Sequence, residues 1–255
     1  MPEVTDHGCG SVSVVLLHGW GLGAQIWEPV LPYLVRRFRV HVVTLPGHGG
    51  APPWPAQTDL GEQAGLLLEQ LPAGAIWLGW SLGAMVAIAA AAARPQAVAG
   101  LGVMAANARF VAAPEWPDGV EPAVFESFAR LLHDAPEAAR RRFAALLAPA
   151  AGERRALAAA LAVEPAWADR VHCLARPLDI LAGADLRAQL PRIRCPVCWL
   201  LAEQDPLVPP SVASALGRVR PQWEVRRVPG GHAFFVTRPT TVADTLERLL
   251  KHHGD

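Results

Sequence analysis

The chain has 255 residues, of which 52% are hydrophobic and 18% are charged. This composition is typical of a compact protein of one domain and excludes a disordered chain. Lysine plus arginine number 23, as do aspartate plus glutamate, so no bulk charge favours nucleic acid or a membrane surface as partner. The acidic N-terminus has no apolar signal core, and no run of about 18 uncharged apolar residues could span a membrane. We therefore expect a cytoplasmic monomer.

Strand patterns alternate with helical ones along the first hundred residues. Residues 12–17, 40–45 and 75–78 are β-branched or apolar runs, and each is followed within two residues by a glycine. Between the first two runs, residues 27–38 place apolar side chains at helical spacing. Strands that are apolar on both faces, with helices between them, predict a mostly parallel sheet covered by helices on both faces.

The pattern changes between residues 108 and 184, where no strand is predicted. We expect several short amphipathic helices here, interrupted at six prolines: Pro117, Pro122, Pro136, Pro149, Pro165 and Pro177. The segment is therefore interpreted as a helical insertion between two halves of one sheet.

Strand patterns return near the end of the chain. They cover residues 197–201 and 224–228, and a last helix is predicted over residues 240–251, followed by a solvated tail. We expect residues 1–107 and 185–255 to form one α/β core. The helical insertion after about residue 107 would lie as a lid over the carboxyl ends of the strands, where α/β proteins form their sites.

The four cysteines do not indicate a disulfide framework. Cys195 and Cys198 have the C-x-x-C spacing of redox and zinc sites, but they open a buried strand pattern and not a helix. The sequence has no second pair of this kind, so packing in the core is favoured. Neither a metal nor a cofactor is predicted.

The pentapeptide G-x-S-x-G is present as Gly79-Trp80-Ser81-Leu82-Gly83, between a predicted strand and an alanine-rich predicted helix. That context is the condition for a nucleophile elbow, a tight turn that exposes a serine hydroxyl. The residues two before and two after the serine pass close to other backbone, where only glycine fits. Ser81 is the predicted nucleophile, and the amide of Leu82 at the helix N-terminus is a predicted oxyanion donor. A chance Gly-Ser turn is the alternative.

A second oxyanion donor is predicted in the loop after the first strand, His18-Gly19-Trp20-Gly21. A His-Gly loop at this place supplies a backbone N–H to the oxyanion, here that of Trp20. His18 itself is interpreted as a structural hydrogen-bonding residue.

A serine nucleophile needs a base beside it, and nine histidines are candidates. His232 follows the last predicted strand and precedes the last predicted helix, where the chain order serine, acid, histidine requires the base. Asp205 lies just past the preceding strand and would fix the tautomer of the imidazole. Glu203, Asp179 and Asp185 are the alternative acids.

Several longer strings carry a resemblance to a known family. They are His18-Gly19-Trp20-Gly21 with Trp27, Leu45-Pro46-Gly47-His48-Gly49, Trp77-Leu78-Gly79-Trp80-Ser81-Leu82-Gly83, Glu115-Trp116-Pro117, Arg142-Phe143-Ala144-Ala145-Leu146, Asp185-Leu186-Arg187 and Gly231-His232-Ala233. Together they resemble the pimeloyl-[acyl-carrier protein] methyl ester esterases of biotin synthesis, in the α/β-hydrolase superfamily. The triad motifs belong to the whole superfamily, whereas the Trp-Leu-Gly-Trp-Ser-Leu-Gly and Arg-Phe-x-Ala-Leu strings are more specific.

The resemblance implies an α/β-hydrolase fold and a carboxylesterase without metal or cofactor. Its substrate would be a seven-carbon diacyl chain, thioesterified to acyl-carrier protein and methyl-esterified at the far end, where cleavage occurs. It also implies that Trp20 and Leu82 contact the substrate and that five lid residues line the acyl channel: Phe143, Ala144, Ala145, Leu146 and Leu147. The family example is polar at the position of Leu147, so this chain departs from the pattern there.

A basic segment lies within the predicted lid. Residues 138–160 contain one acidic residue, Glu153, and five arginines: Arg140, Arg141, Arg142, Arg154 and Arg155. Acyl-carrier proteins are acidic, and exposed arginines would attract them and pair with carboxylate or phosphate. We expect this segment to dock the carrier protein, with an ordinary solvated helix face as the alternative.

Two other functions remain open. A general short-chain carboxylesterase, lactonase or cofactor-free perhydrolase would have the same triad, because substrate choice depends on lid packing. A non-catalytic or slow receptor for a small ligand would share the fold but need not keep the base, so a complete triad favours an enzyme. We predict a serine esterase with a two-step acyl-enzyme mechanism that acts on carrier-bound or small esters.

Overall fold

The computed structural model describes residues 2–251, and within them seven strands form a single sheet. In chain order they are β1 (Glu3–His7), β2 (Val12–Leu17), β3 (Phe38–Thr44), β4 (Ala75–Trp80), β5 (Val98–Met104), β6 (Val197–Ala202) and β7 (Glu224–Val228). Their order across the sheet is β1–β3–β2–β4–β5–β6–β7. β1 pairs antiparallel with β3, and the other neighbours pair in parallel. The predicted mostly parallel sheet is confirmed.

Helices fill most of the connections in the described part of the chain. They are α1 (Leu31–Leu34), α2 (Leu60–Gln70), α3 (Leu82–Ala93), α4 (Pro122–Asp134), α5 (Pro136–Leu147), α6 (Ala151–Ala162), α7 (Val171–Gly183), α8 (Val212–Val219) and α9 (Thr240–Lys251). No helix within residues 2–251 combines the length and the apolar character that crossing a membrane requires. The predicted tail, residues 252–255, lies outside the described residues.

Helices pack on the sheet in two groups. α3 packs on β4 and β5 and against α2, whereas α9 packs on β5 and β6 and against α1. All seven residues of β5 are buried, which a strand achieves only when both of its faces are covered. The sheet therefore has its core on both sides, as the apolar strand patterns predict.

Four helices, α4 to α7, lie between β5 and β6 in the chain. Between Met104 and Val197, a stretch that is described throughout, only isolated bridges such as that of Val111 with Val120 are found. α4 begins at Pro122 and α5 at Pro136, because a proline in the first turn has no helical hydrogen bond to lose. The division into a core and a lid over residues 108–184 stays a prediction.

One predicted helix break is wrong. Pro177 lies inside α7, which continues to Gly183. A proline here removes the helical bond to the Cys173 carbonyl. The Cys173 carbonyl instead faces Gly47. The approach is so close that a Cβ added to Gly47 would lie 2.5 Å from the Cys173 oxygen. Arg170 also donates to the Gly47 carbonyl at 2.9 Å, so contact with this loop supports the helix across the proline.

The predicted helix over residues 27–38 is also wrong in extent. The segment forms a 3₁₀ turn at Ala24–Trp27 and one turn of helix in α1, and β3 already begins at Phe38. Pro32 explains the interruption, because a longer helix would need a backbone N–H at this position and proline has none. In the first turn of a helix, where Pro32 lies, this N–H is not needed. The segment still buries the apolar residues that suggested a helix: Trp27, Val30, Leu34 and Phe38.

The sequence predicts neither β1 nor β5. β1 is an edge strand whose residues are mostly polar, and Val4 pairs with Val43 of β3. β5 contains Gly100 and Gly102, and a Cβ at Gly102 would lie 3.0 Å from the Leu78 side chain. Glycine is a poor strand former, but here it lets neighbouring side chains fill the space.

Candidate active site

Ser81 is the single residue between the end of β4 at Trp80 and the start of α3 at Leu82. Its φ of 54° and ψ of −118° form a conformation that residues with a side chain rarely adopt. Among the described non-glycine residues, only Ser81 and Ala105 have a positive φ. The Ser81 N–H donates to the Met104 carbonyl at 2.9 Å and so ties the turn to the next strand. The backbone therefore makes the sharp turn that the sequence predicts.

Two glycines make this turn possible. A Cβ at Gly79 would lie 2.4 Å from the backbone nitrogen of Ala84, and a Cβ at Gly83 would lie 2.4 Å from the carbonyl oxygens of Leu17 and His18. Backbone atoms inside a sheet or helix cannot move aside as the end of a side chain can. Both positions therefore require glycine.

His232 and Asp205 form a buried pair. The Nδ1 atom of His232 lies 2.8 Å from Oδ2 of Asp205, and the two side chains are 1% and 0% exposed. The other oxygen, Oδ1, accepts hydrogen bonds from the N–H groups of Leu207 and Val208 at 2.8 and 3.0 Å. Because a carboxylate can only accept, this geometry assigns the ring proton to Nδ1 and leaves Nε2 able to accept a proton.

Trp80 connects this pair with the turn at Ser81. Its indole Nε1 donates to the carbonyl of His232 at 2.9 Å, and the two ring centroids are 5.5 Å apart. Because Trp80 directly precedes Ser81, these contacts tie the His232 loop to the strand end that leads into the serine. The Ser81 side chain makes no capping hydrogen bond to α3, so the helix backbone does not occupy its hydroxyl.

The loop after β2 runs alongside the serine. A Cβ at Gly19 would lie 3.2 Å from the Cβ of Ser81. His18 holds this loop: its Nδ1 donates to the Gly19 carbonyl at 2.8 Å, and its Nε2 accepts from the Leu45 N–H at 2.9 Å. Burial lowers the pKa of His18 to about 4, so the ring is neutral and acts as the structural residue that the sequence predicts.

The two predicted oxyanion donors belong to segments next to Ser81. Leu82 is the first residue of α3, where backbone N–H groups have no acceptor within the helix. Trp20 follows Gly19, and its indole donates to the Leu174 carbonyl at 2.9 Å. Its ring also lies edge-on to Phe143 and Trp167, each at 5.0 Å. Residues of the predicted lid therefore hold the indole ring of Trp20 in place.

An apolar pocket opens at Ser81. Of the predicted contacts, Trp20, Phe143 and Leu146 line it. Arg142 is the one charged side chain among the described lining residues. The sequence does not single out the rest of the wall, which comes largely from α4 and α7: Phe110, Val120, Val124, Phe125, Phe128, Leu178, Leu181 and Leu207.

Ala144, Ala145 and Leu147 are not among the lining residues. On a helix, residues three apart share a face, so Phe143 and Leu146 reach the pocket together while the positions between them do not. Leu147 is fully buried, and its carbonyl accepts from the N–H of Ala233 at 3.0 Å. The structure thus brings two of the five predicted side chains to the pocket.

The alternative acids lie elsewhere. Glu203 and Asp179 are exposed. Asp185 pairs with Arg187 at 2.6 Å and with Arg109 at 3.3 Å, and the hydrogen bond to Arg187 lowers the pKa of its carboxyl. Asp205 is therefore the acid that the structure brings to His232.

The five lid arginines differ in their surroundings. Arg140 pairs with Glu137 at 2.7 Å, which lowers the pKa of that carboxyl. Arg154 donates to the carbonyls of Ala148 and Pro149 at the end of α5. The remaining three are exposed and form no salt bridge with any described residue: Arg141, Arg142 and Arg155.

Comparison with known proteins shows the family of the chain. The family model described as "Alpha/beta hydrolase family" matches residues 14–245. The chain is 37% identical over 250 residues to the pimeloyl-[acyl-carrier protein] methyl ester esterase of Klebsiella pneumoniae, covering 97% of this chain and 96% of that one. This chain belongs to the α/β-hydrolase family, in the group of these esterases. The predicted fold and family are confirmed.

Another relative is longer than this chain. It is the biotin biosynthesis bifunctional protein BioHC of Cellvibrio japonicus, 37% identical over 235 residues, which cover 92% of this chain but 46% of that protein. This chain thus spans about half the length of that relative. Among solved structures, the esterase of Exiguobacterium antarcticum has a TM-score of 0.84 at 19% identity, covering 98% and 95% of the two chains. That likeness shows the fold alone.

Proposed function

We propose that this α/β-hydrolase is a serine carboxylesterase that cleaves the methyl ester of pimeloyl-[acyl-carrier protein] in biotin synthesis. The observation that carries the proposal is the buried pair of Asp205 and His232, 2.8 Å apart, whose loop is hydrogen-bonded to Trp80, the residue directly before Ser81 in its strained turn. The substrate is taken from the family, since a relative 37% identical over nearly the whole chain has this name.

In the proposed reaction, Ser81 attacks the ester carbonyl while Nε2 of His232 takes its proton. Asp205 stabilises the imidazolium, and the amides of Trp20 and Leu82 bind the oxyanion. Collapse of the tetrahedral intermediate breaks the bond to methoxide, which leaves as methanol with the proton from His232. His232 then takes a proton from a water molecule, which attacks the acyl-enzyme carbonyl. Collapse of this second tetrahedral intermediate breaks the bond to Oγ of Ser81, which takes the proton back from His232, and the free acid leaves and ionises to the carboxylate.

The pocket suits an uncharged acyl chain. Its wall is apolar apart from Ser81 and Arg142, so burying the carbon chain of a methyl ester there is favourable. The product has a carboxylate in place of the ester, and an apolar wall disfavours a charge. The apolar part of the wall therefore favours the uncharged ester over the charged product.

We further propose that the exposed lid arginines bind the acidic carrier protein. Arg141 and Arg155 are exposed, and Arg142 lies both on the pocket wall and at the surface. This places positive charge where the carrier end of the acyl chain would leave the pocket. The four free cysteines suit the cytoplasmic location, which stays a prediction, as does the monomeric state.

Two assays test the proposal. In the first, kcat/KM is measured on methyl pimeloyl-carrier protein and on free methyl pimelate, and we expect at least about a tenfold preference for the carrier-bound ester. Equal values would instead favour the general carboxylesterase. In the second, the gene is expressed in a biotin auxotroph that lacks this esterase, and we expect growth without biotin. Failure of a Ser81→Ala variant to support growth is the matched control.

A further inference from the structure

The lid holds the loop of His232 from both sides. The N–H of Gly231 donates to Oε1 of Glu153 at 2.9 Å, and the N–H of Ala233 donates to the carbonyl of Leu147 at 3.0 Å. These donors are the residues directly before and after His232. Glu153 belongs to α6 and Leu147 ends α5, so two lid helices bind the backbone around the histidine.

Glu153 is the unusual member of this arrangement, because it is only 8% exposed in a helix where Arg154 and Arg155 are exposed. Its second oxygen, Oε2, accepts from the N–H of Ala150 at 3.4 Å, at the start of α6. One buried carboxylate thus binds both the helix end and the loop of His232. A buried carboxylate needs such donors, and its hydrogen bonds are stronger than those of neutral acceptors.

Two glycines bring the loop close to the lid. Gly230 has a φ of +117°, and a Cβ there would lie 2.5 Å from Oε1 of Glu153. A Cβ at Gly231 would lie 2.2 Å from Cδ of Pro149 and 3.0 Å from the Leu147 carbonyl oxygen. The close contact of loop and lid therefore depends on these two residues.

The core holds the same loop at other points. The N–H of Gln204 donates to the Gly230 carbonyl at 3.0 Å, and Trp80 donates to the His232 carbonyl. Neither bond involves the N–H of Gly231, which faces the lid. If Glu153 is removed, this N–H loses its acceptor and the loop loses one of its supports. A displacement of about 1 Å at a catalytic group can cost as much as about 100-fold in rate.

We propose that Glu153 is a positioning residue for His232, holding the general base in place through its hydrogen bond to the Gly231 N–H. The inference rests on the proposed function, in which His232 takes the proton of Ser81. It adds a link between the lid and the chemistry, because α6 presents arginines to solvent and Glu153 to the backbone N–H of Gly231, directly before the base. The helix proposed to meet the carrier protein is then also a helix that positions His232.

The first test compares Glu153→Ala with Glu153→Gln on p-nitrophenyl acetate, a substrate too small to need the lid surface. For Glu153→Ala we expect kcat to fall about tenfold, with KM changed by less than about twofold. Glutamine keeps an acceptor oxygen for Gly231, so Glu153→Gln should restore kcat to within about threefold of the wild type. The matched control is Glu126→Ala, which removes an exposed lid acid and should leave kcat unchanged.

The second test displaces the His232 loop by a substitution within the loop itself. The methyl group of Gly231→Ala would meet Pro149, so kcat should fall, and adding Pro149→Ala should recover part of it. This pair decides the question if Glu153→Ala does not fold. A folded Glu153→Ala protein with full kcat, a Glu153→Gln protein as impaired as Glu153→Ala, or a fully active Gly231→Ala protein would overturn the inference. Failure of the proposed function would show differently, as a wild-type protein that does not turn over esters.

Discussion

Ser81 adopts a backbone conformation that costs of the order of 1–3 kcal/mol, and its neighbours must supply that free energy. The bond from its N–H to the Met104 carbonyl contributes to this, and glycine at positions 79 and 83 avoids the clash that a Cβ would make with neighbouring backbone. The strain serves the site, because the turn places Ser81 in the pocket lining and Leu82 at the first position of α3.

Gly83→Ala should therefore disrupt the turn. Its Cβ would lie 2.4 Å from the carbonyl oxygens of Leu17, at the end of β2, and His18, in the loop that carries Trp20, so the loop and the predicted oxyanion donor must shift. We expect kcat on a small ester to fall by at least about 100-fold, the typical effect of losing one oxyanion donor. Gly65→Ala is the control, since no atom lies within 4 Å of a Cβ there, and it should keep full activity. Equal activity of both variants would contradict the role given to Gly83.

The role of Asp205 is tested by Asp205→Asn. The NH₂ group of the asparagine would donate to an unprotonated Nδ1 of His232 but repel a protonated one. It therefore favours the tautomer with the proton on Nε2, which cannot accept the proton of Ser81. We expect kcat to fall about 10³–10⁴-fold with little change in the melting temperature. Glu203→Gln removes an exposed acid close in sequence and should keep wild-type kcat. An Asp205→Asn enzyme with near-normal kcat would count against the assignment.

The sequence is sufficient to predict that Asp205 and His232 meet, because both follow strand ends and their order along the chain matches a known mechanism. It is not sufficient for the pocket wall. Phe128 and Leu178 come from α4 and α7, and only tertiary packing brings them into one pocket with Ser81. The burial of Glu153 could not be predicted from the sequence either. Because arginines follow it in the chain, Glu153 resembles a surface acid, and its burial depends on contact with Gly231.

At the scale of elements, α5 has two functional faces. Phe143 and Leu146 reach the pocket, while Arg141 is exposed on the outside of the helix. One turn of helix thus presents an apolar surface to the acyl chain and a charge to solvent, as the helical period requires. In α6, Glu153 and Arg155 divide in the same way between inside and outside.

The outer face can be tested without disturbing the pocket. Arg141 and Arg155 are exposed and do not line the pocket, so the double variant Arg141→Glu/Arg155→Glu changes only the lid surface. We expect kcat/KM on the carrier-bound ester to fall at least about tenfold, with the loss smaller at high salt, and kcat on a small ester to stay unchanged. Arg130→Glu, on α4, is the control. Equal losses on both substrates would exclude the docking role.

Both incorrect helix predictions involve a proline whose effect depends on its surroundings. Pro32 interrupts the helical pattern of residues 27–38 because a longer helix would need its N–H. Pro177 does not end α7, since the loop with Gly47 packs against the freed carbonyl of Cys173. Periodicity identifies the buried face in both segments, but the backbone path depends on contacts that are distant in sequence.

At the scale of the whole molecule, two buried histidines connect stability to pH. His18 and His48 lie with ring centroids 5.1 Å apart. Burial lowers the pKa of His18 from 6.5 to about 4, and burial together with the neighbouring His18 lowers that of His48 well below its ordinary value. The unfolded chain therefore binds more protons than the folded one below about pH 6.5, and stability decreases as the pH falls through that range.

We expect the free energy of unfolding in urea to be lower at pH 5 than at pH 7, by about 2 kcal/mol from His18 alone. His18→Gln cannot titrate, so this variant should be less stable at pH 7 but should lose less on acidification. The measurement is the unfolding midpoint at both pH values for both proteins. The same pH dependence in wild type and variant would show that His18 is not the titrating group.

In the proposed mechanism, Ser81 is a nucleophile activated by His232. This claim is tested most directly by the mass of the protein after reaction with a fluorophosphonate, followed by peptide mapping. The predicted result is one adduct on Ser81 in the wild-type protein, no adduct in Ser81→Ala and much slower labelling in His232→Gln. An adduct that forms at the wild-type rate in the folded Ser81→Ala protein would contradict the account.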